Sequence, residues 1–265
     1  MSRITLAIDK AFAVNFSTWL ARICSLLVVA ATTSCLLPAL FAASDKGSAA
    51  KAVDSGSFGI FMNGKRVATE TFNIEQGDSG SSITSKFKTE PGTPAAEQSS
   101  DLQLTTNAEL KNYEWKETAP GESSASVVPS QDFLTERFRK SPQDKPQEHP
   151  FLLPASTSIL DDYFFVQREV LAWKYFATSC KQEKGLSCQL KQPTQFGTLN
   201  AHSRASALVT LQYSGREKVQ IHGAEKELIR LDLKSDTGDW ALWLDDQLKL
   251  QRMANATDNT EVVRD

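Results

Sequence analysis

FGIFMNGKRVATETFNI, residues 58–74, decides how the rest of the chain is read. Asn63-Gly64 stands between two apolar runs, and both residues of that pair accept the positive φ of a tight two-residue turn. The stretch therefore reads as a β-hairpin. A two-residue turn sets Ile60 opposite Val67, Gly59 opposite Ala68 and Ser57 opposite Glu70, so that Phe61, Ala68, Glu70, Phe72 and Ile74 share a face. Small residues beside large ones suit a strongly curved sheet onto which a helix closes. Glu70 is the candidate polar group. It is expected near the open end of the short strand, satisfied by water, Arg66 or another base. A carboxylate among apolar neighbours is also the kind of group whose pKa burial raises.

Outward from this hairpin the apolar period stays close to two. Ile83 and Phe87, Leu102 and Leu104, and Tyr113 and Trp115 alternate with polar residues, as in antiparallel strands with one wetter face. Turns are expected at QGDSGSS (76–82) and APGESS (119–124), and longer loops at 91–100 and at the proline-rich KSPQDKPQEHP (140–150). The period then changes. In STSILDDYFFVQREVLAWKYFAT, Ile159, Tyr163, Val166, Val170 and Trp173 recur at helical spacing. Leu160, Phe164, Leu171 and Tyr175 widen the stripe, which predicts a helix over 158–178 lying deep against a sheet. Ser158 reads as its N-cap, and Asp161-Asp162 as acids stabilised by the positive end of its dipole. Alternation returns through Val209, Leu211, Ile229, Leu231 and Leu233. A final hairpin turns at Asp245-Asp246, with Trp240, Leu242 and Leu244 facing Leu248 and Leu250. The fold class is α+β: a curved, mostly antiparallel sheet, a half-open barrel, with one long helix on its concave face.

The N-terminal region differs in kind. Residues 1–22 are basic, residues 23–44 carry no charge, and Pro38 precedes ALFAAS, the build of a secretory signal peptide cleaved after Ala42. An uncleaved anchor is the alternative, since about 20 apolar residues span a bilayer. Residues 1–42 are thus read as the leader, 43–56 as a flexible lead-in and 57–265 as a single domain. The expected location is the periplasm, or the inner membrane if the leader stays attached, with membrane contact through that segment only. Loss of the leader shifts the formal charge from −3 to −5. A mildly acidic product without a basic block excludes nucleic acid as a partner.

Four cysteines are present, of which Cys24 and Cys35 lie in the leader. Cys180 and Cys188 flank a short glycine-containing loop and, in an oxidising compartment, are expected to pair as a disulfide. The sequence offers little catalytic chemistry. GDSG (77–80) imitates a serine-protease neighbourhood but lacks both the following glycine and a preceding histidine, and reads as a hairpin turn. His202 and His222 stand alone, without a carboxylate or cysteine at ligand spacing. No phosphate loop or metal motif occurs, so neither cofactor nor metal is expected.

The segments GIFMNGKRVATETFNI, SILDDYFFVQREVLAWKY and LWLDDQLKLQRM…EVVRD, in that order, resemble a group of uncharacterised exported bacterial β proteins. Its general look is similar to the LolA/LppX type of envelope lipid or lipoprotein carrier. That resemblance implies a curved sheet with a helix in its concave side, and directs attention to the apolar face between them. The expectation is a non-enzymatic binding protein whose cleft, lined by Phe61, Phe72, Phe164, Trp173, Leu231 and Trp243, takes a lipid-like ligand or a segment of an envelope partner. Two alternatives stand beside it: a structural or assembly protein of the envelope, and a carboxylate-dependent hydrolase using Glu70.

Overall fold

The structure, a computed structural model of the chain, describes residues 50–181, 187–188, 192–236 and 238–265, with the side chains of 181, 187 and 188 left out. The expected leader, 1–42, and the first half of the lead-in, 43–49, lie outside these residues. The N-terminal half is a run of strands: β1 (Lys51–Met62), β2 (Lys65–Gly77), β3 (Gly80–Thr89), β4 (Glu97–Leu104), β5 (Leu110–Ala119), β6 (Ser124–Ser130), β7 (Phe133–Arg139) and β8 (Gln147–Phe151). Then come the two-residue β9 (Ser158–Ile159), the helix α1 (Val166–Ser179), and the short pair β10 (Cys180–Lys181) and β11 (Ser187–Cys188). Six more strands follow: β12 (Thr194–Asn200), β13 (Ala205–Ile221), β14 (Ala224–Lys234), β15 (Trp240–Leu244), β16 (Leu250–Asn255) and β17 (Thr260–Arg264).

Fifteen strands make one open sheet in the order β8-β7-β6-β5-β4-β3-β2-β1-β17-β16-β15-β14-β13-β12-β9. Each half of the chain is an antiparallel meander running from the middle of the sheet to one edge. The two meanders join where β1 pairs with β17, and β9 against β12 is the parallel pair. The curved antiparallel sheet with one helix thus agrees with the sequence reading. Alternation explains the main core: Phe58, Phe72, Ile74, Ile83, Tyr113, Leu231 and Leu242 point from their strands to one face, where they meet Phe164, Leu171 and Phe176 of the helical segment. Phe58 and Phe72 stack with ring centroids 4.8 Å apart.

Several boundaries differ from the sequence reading. β1 begins at Lys51, inside the stretch expected to be a flexible lead-in, because its partner β2 is long enough to pair with it from Gln76. Residues 147–150, expected within a loop, join Phe151 in the edge strand β8, where Pro150 is tolerated because the outer side of an edge strand needs no donor. The helix starts at Val166 rather than Ser158, and its N-terminus has no cap from its own side chains. Ser158 and Ile159 pair instead with Thr198 and Leu199.

The hairpin at Asn63-Gly64 forms with φ values of 50° and 76°. Its register is not the simple one. Met62 pairs with Lys65 and Phe61 with Arg66, and then a bulge leaves Val67 over, so that Ile60 faces Ala68 and Phe58 faces Glu70. The extra residue sends Phe61 to the opposite face from Glu70. There, with Val219, Ile221, Leu228, Trp243 and Val263, it joins a second, smaller apolar cluster. Part of that cluster comes from the far half of the long β13–β14 hairpin, past a register shift between Tyr213 and Gly215.

Candidate functional site

The first turn of the helix is enclosed so completely that its polar residues are buried as well. Gln167, Arg168 and Glu169 are consecutive and nearly inaccessible, and each must find partners in the interior. Those partners organise the site.

Glu70 supplies the cap that α1 lacks locally. It is fully buried and accepts hydrogen bonds from Ser85 Oγ at 2.7 Å, from the Phe165 N–H at 2.8 Å and from the Val166 N–H at 3.3 Å. A sheet carboxylate thus satisfies two donors at the start of the helix and sits at the positive end of its dipole. Burial nevertheless raises its pKa to about 7, against the opposing pull of Ser85 and the two backbone donors. The sequence expectation of a water-satisfied Glu70 opposite Ser57 is corrected: the bulge sets it opposite Phe58, and Ser85 with the Phe165 and Val166 N–H groups satisfies it in the interior.

A second buried acid, Glu169, lies beside Asp54. Its Oε2 accepts from the Leu250 N–H at 3.1 Å and contacts Arg264 Nη2 at 3.2 Å, while Arg264 and Lys249 both pair with Asp54. Burial first, and the neighbouring Asp54 next, hold Glu169 well above the carboxylate range. Burial pushes Asp54 the same way, but Arg264, Glu169 and Lys249 together keep it below its ordinary value. The cluster ties the helix to β1, β16 and β17 in the middle of the sheet.

Asp161 anchors a third network. It is fully buried, accepts from Tyr113 Oη at 2.6 Å and lies 2.6 Å from His202 Nδ1, while His202 Nε2 lies 2.5 Å from Gln98 Oε1. The imidazole stacks on Trp115 with centroids 3.8 Å apart. The reading of Asp161 as a helix-dipole acid and of His202 as a lone histidine is therefore corrected. The chain between β9 and α1 turns back on itself, with the Gln167 side chain accepting from the Asp161 N–H at 2.6 Å, and this aims the carboxylate at the β5 and β12 side of the barrel.

At the same end of the helix a cavity of about 570 Å³ opens to the surface. Ile60, Val67, Ala68, Phe87, Phe165 and Trp240 are among its apolar walls, with Met62 and Pro94 towards the mouth. Its one deep charge is Arg168. The guanidinium donates through Nη1 to the Asp161 carbonyl at 2.7 Å and to the Phe164 carbonyl at 3.4 Å, and lies 5.2 Å from the Phe165 ring centroid and 5.9 Å from that of Trp240. Among the described residues no carboxylate comes within ion-pair distance of it, and burial lowers its pKa. A smaller cavity of about 50 Å³ lies along the other flank of α1, bordered by Gln167, Trp173 and Thr157.

The six residues expected to line one cleft fall in three places. Phe72, Phe164 and Leu231 are main-core residues, Phe61 and Trp243 belong to the cluster on the opposite face, and Trp173 borders the small cavity and donates to the Leu248 carbonyl at 2.6 Å. None lines the larger cavity. Arg168, its most distinctive residue, lies off the apolar stripe by which the sequence marks the helix. The available signal was the unbroken Gln-Arg-Glu run inside a helix whose apolar surface is too broad to leave a solvent face. Cys180 is placed directly across from Cys188 in the β10–β11 pair. Among the described residues no group of three or more His, Cys, Asp or Glu is arranged to hold a metal ion.

No protein-family model matches the chain, and no curated protein matches it. A solved structure does. The chain is similar to the crystal structure of a β-barrel-like protein of the domain of unknown function DUF1849 from Brucella abortus, with a TM-score of 0.50 and 9% sequence identity over 79% of this chain and 93% of that one. The likeness is one of fold. Both are β-rich, barrel-like proteins, and the neighbour's function is itself unassigned.

Proposed function

We propose that this chain is an exported, non-enzymatic binding protein that holds a lipid-like molecule at the N-terminal end of its enclosed helix. The carrying observation is the open cavity of about 570 Å³, which sets an apolar side of Ile60, Ala68, Phe87, Phe165 and Trp240 against polar groups such as Thr89, Arg168 and Asn255. Its size falls within the roughly 300–1,000 Å³ of small-molecule pockets, and an apolar side facing polar groups suits a molecule that has both. Export rests on the sequence of residues 1–42 and on the cysteine pair brought opposite each other by β10 and β11.

The carboxylate-hydrolase alternative is less well supported. Both oxygens of Glu70 are engaged by Ser85, Phe165 and Val166, and the residue has no exposed surface through which to reach a substrate. Titration of the purified protein with an apolar fluorescent probe tests the binding reading. Saturable uptake is expected, and it should be lost in Val67→Trp, which fills the cavity from a half-exposed wall position. Absence of uptake in the parent protein, or identical uptake by the variant, counts against the cavity as a binding site.

A further inference from the structure

We infer that the cavity selects a single-chain amphiphile with a carboxylate head, and that Arg168 is the residue that takes the head. The inference rests on the binding reading above and adds the chemistry of the ligand. An arginine this deep is costly unless something answers its charge. Here two backbone carbonyls occupy Nη1, while Nε and Nη2 have no hydrogen-bond acceptor among the described residues. Arg168 lines the cavity, with the Phe165 and Trp240 rings beside its guanidinium at 5.2 Å and 5.9 Å. A planar fork with two unused donors is built for bidentate pairing with a planar carboxylate.

The remaining charges near it argue for a monoanion. Asp162 and Asp258 also border the cavity, and Asp162 first, then Glu70 and Asp161, lie close enough for their charges to act on the guanidinium and answer part of its charge. A dianionic phosphate would meet this acidic surround, whereas one negative charge on the arginine side is the smallest that completes the pair. The apolar walls formed by Ile60, Ala68 and Phe87 then take the alkyl chain towards the mouth at Met62 and Pro94.

Calorimetric titration of the intact protein with dodecanoate, 1-dodecanol and dodecyltrimethylammonium separates the possibilities without any substitution. Dodecanoate should bind about tenfold or more tightly than dodecanol, the scale of a charge-assisted hydrogen bond, and the cationic amphiphile should be weakest. In Arg168→Gln the preference of dodecanoate over dodecanol should vanish while dodecanol binding persists. Equal affinity for dodecanoate and dodecanol in the parent protein overturns the head-group assignment and leaves the apolar site standing. Failure of all three amphiphiles to bind overturns the binding reading itself, and the assignment with it.

Discussion

Glu70 gives the account its sharpest single-residue consequence. Its native pKa of about 7 lies above the ordinary carboxylate value, so between those limits the unfolded chain has released a proton that the native state still holds. Stability therefore falls as pH rises through that window, by about 3 kcal/mol in all, and is fullest below it. Glu70→Gln keeps one acceptor for the helix N-terminus and removes the titration. Urea unfolding at about pH 5 and about pH 8 should show a marked loss of stability for the parent and a much smaller one for the variant. Parallel pH profiles would mean that Glu70 does not titrate in this window. Asp161 makes the complementary case. Its replacement by Asn weakens the acceptor of Tyr113 and the partner of His202 together, at a cost of about 2–3 kcal/mol in urea unfolding. Because the three side chains form one network, Asp161→Asn combined with Tyr113→Phe should cost less than the sum of the two changes.

At the scale of elements, the turn at Gly77 to Gly80 is decided by one glycine. Gly80 adopts a φ of 125°, and a Cβ there would lie 1.9 Å from the Leu104 carbonyl oxygen of the next strand. Gly80→Ala should therefore destabilise the β2–β3–β4 region by roughly 3 kcal/mol, readable as a lowered thermal midpoint. The GDSG tetrapeptide is thus explained as turn chemistry. What was legible in the sequence was local in the same way: the Asn63-Gly64 turn, the alternation of the strands and the presence of one enclosed helix. What escaped it depended on contacts between distant segments. Glu70 caps a helix 95 residues further on, and Asp161 meets partners 48 residues before it and 41 after it. The bulge at Val67 escaped for a different reason. The composition of the hairpin admits both the simple register and the bulged one, and the choice falls to packing: bulged, the strand buries Phe58 and Ile60 with the helix and leaves Phe61 for the other face.

For the whole molecule, two meanders joined at β1–β17 build a curled sheet, and one helix fills its hollow. The helix is held from the sheet by buried groups: Glu70 at its start, Asp54 and Arg264 around Glu169, and the Tyr175 hydroxyl accepting from the Tyr213 N–H further along. The cavity lies where this filling stops, at the helix N-terminus, so binding there is expected to stabilise the whole assembly through Phe165, Arg168 and the adjoining strands. Recovery of the protein from its own host, expressed from the full sequence, brings the central claim to one measurement. Denaturing mass spectrometry of such a sample reads leader removal after Ala42 and oxidation of Cys180 with Cys188. Native mass spectrometry of the same sample is the decisive reading. The account predicts a population heavier than the bare chain by the mass of an amphiphile, with the excess lost on denaturation; a bare mass that stays bare after incubation with dodecanoate would contradict it.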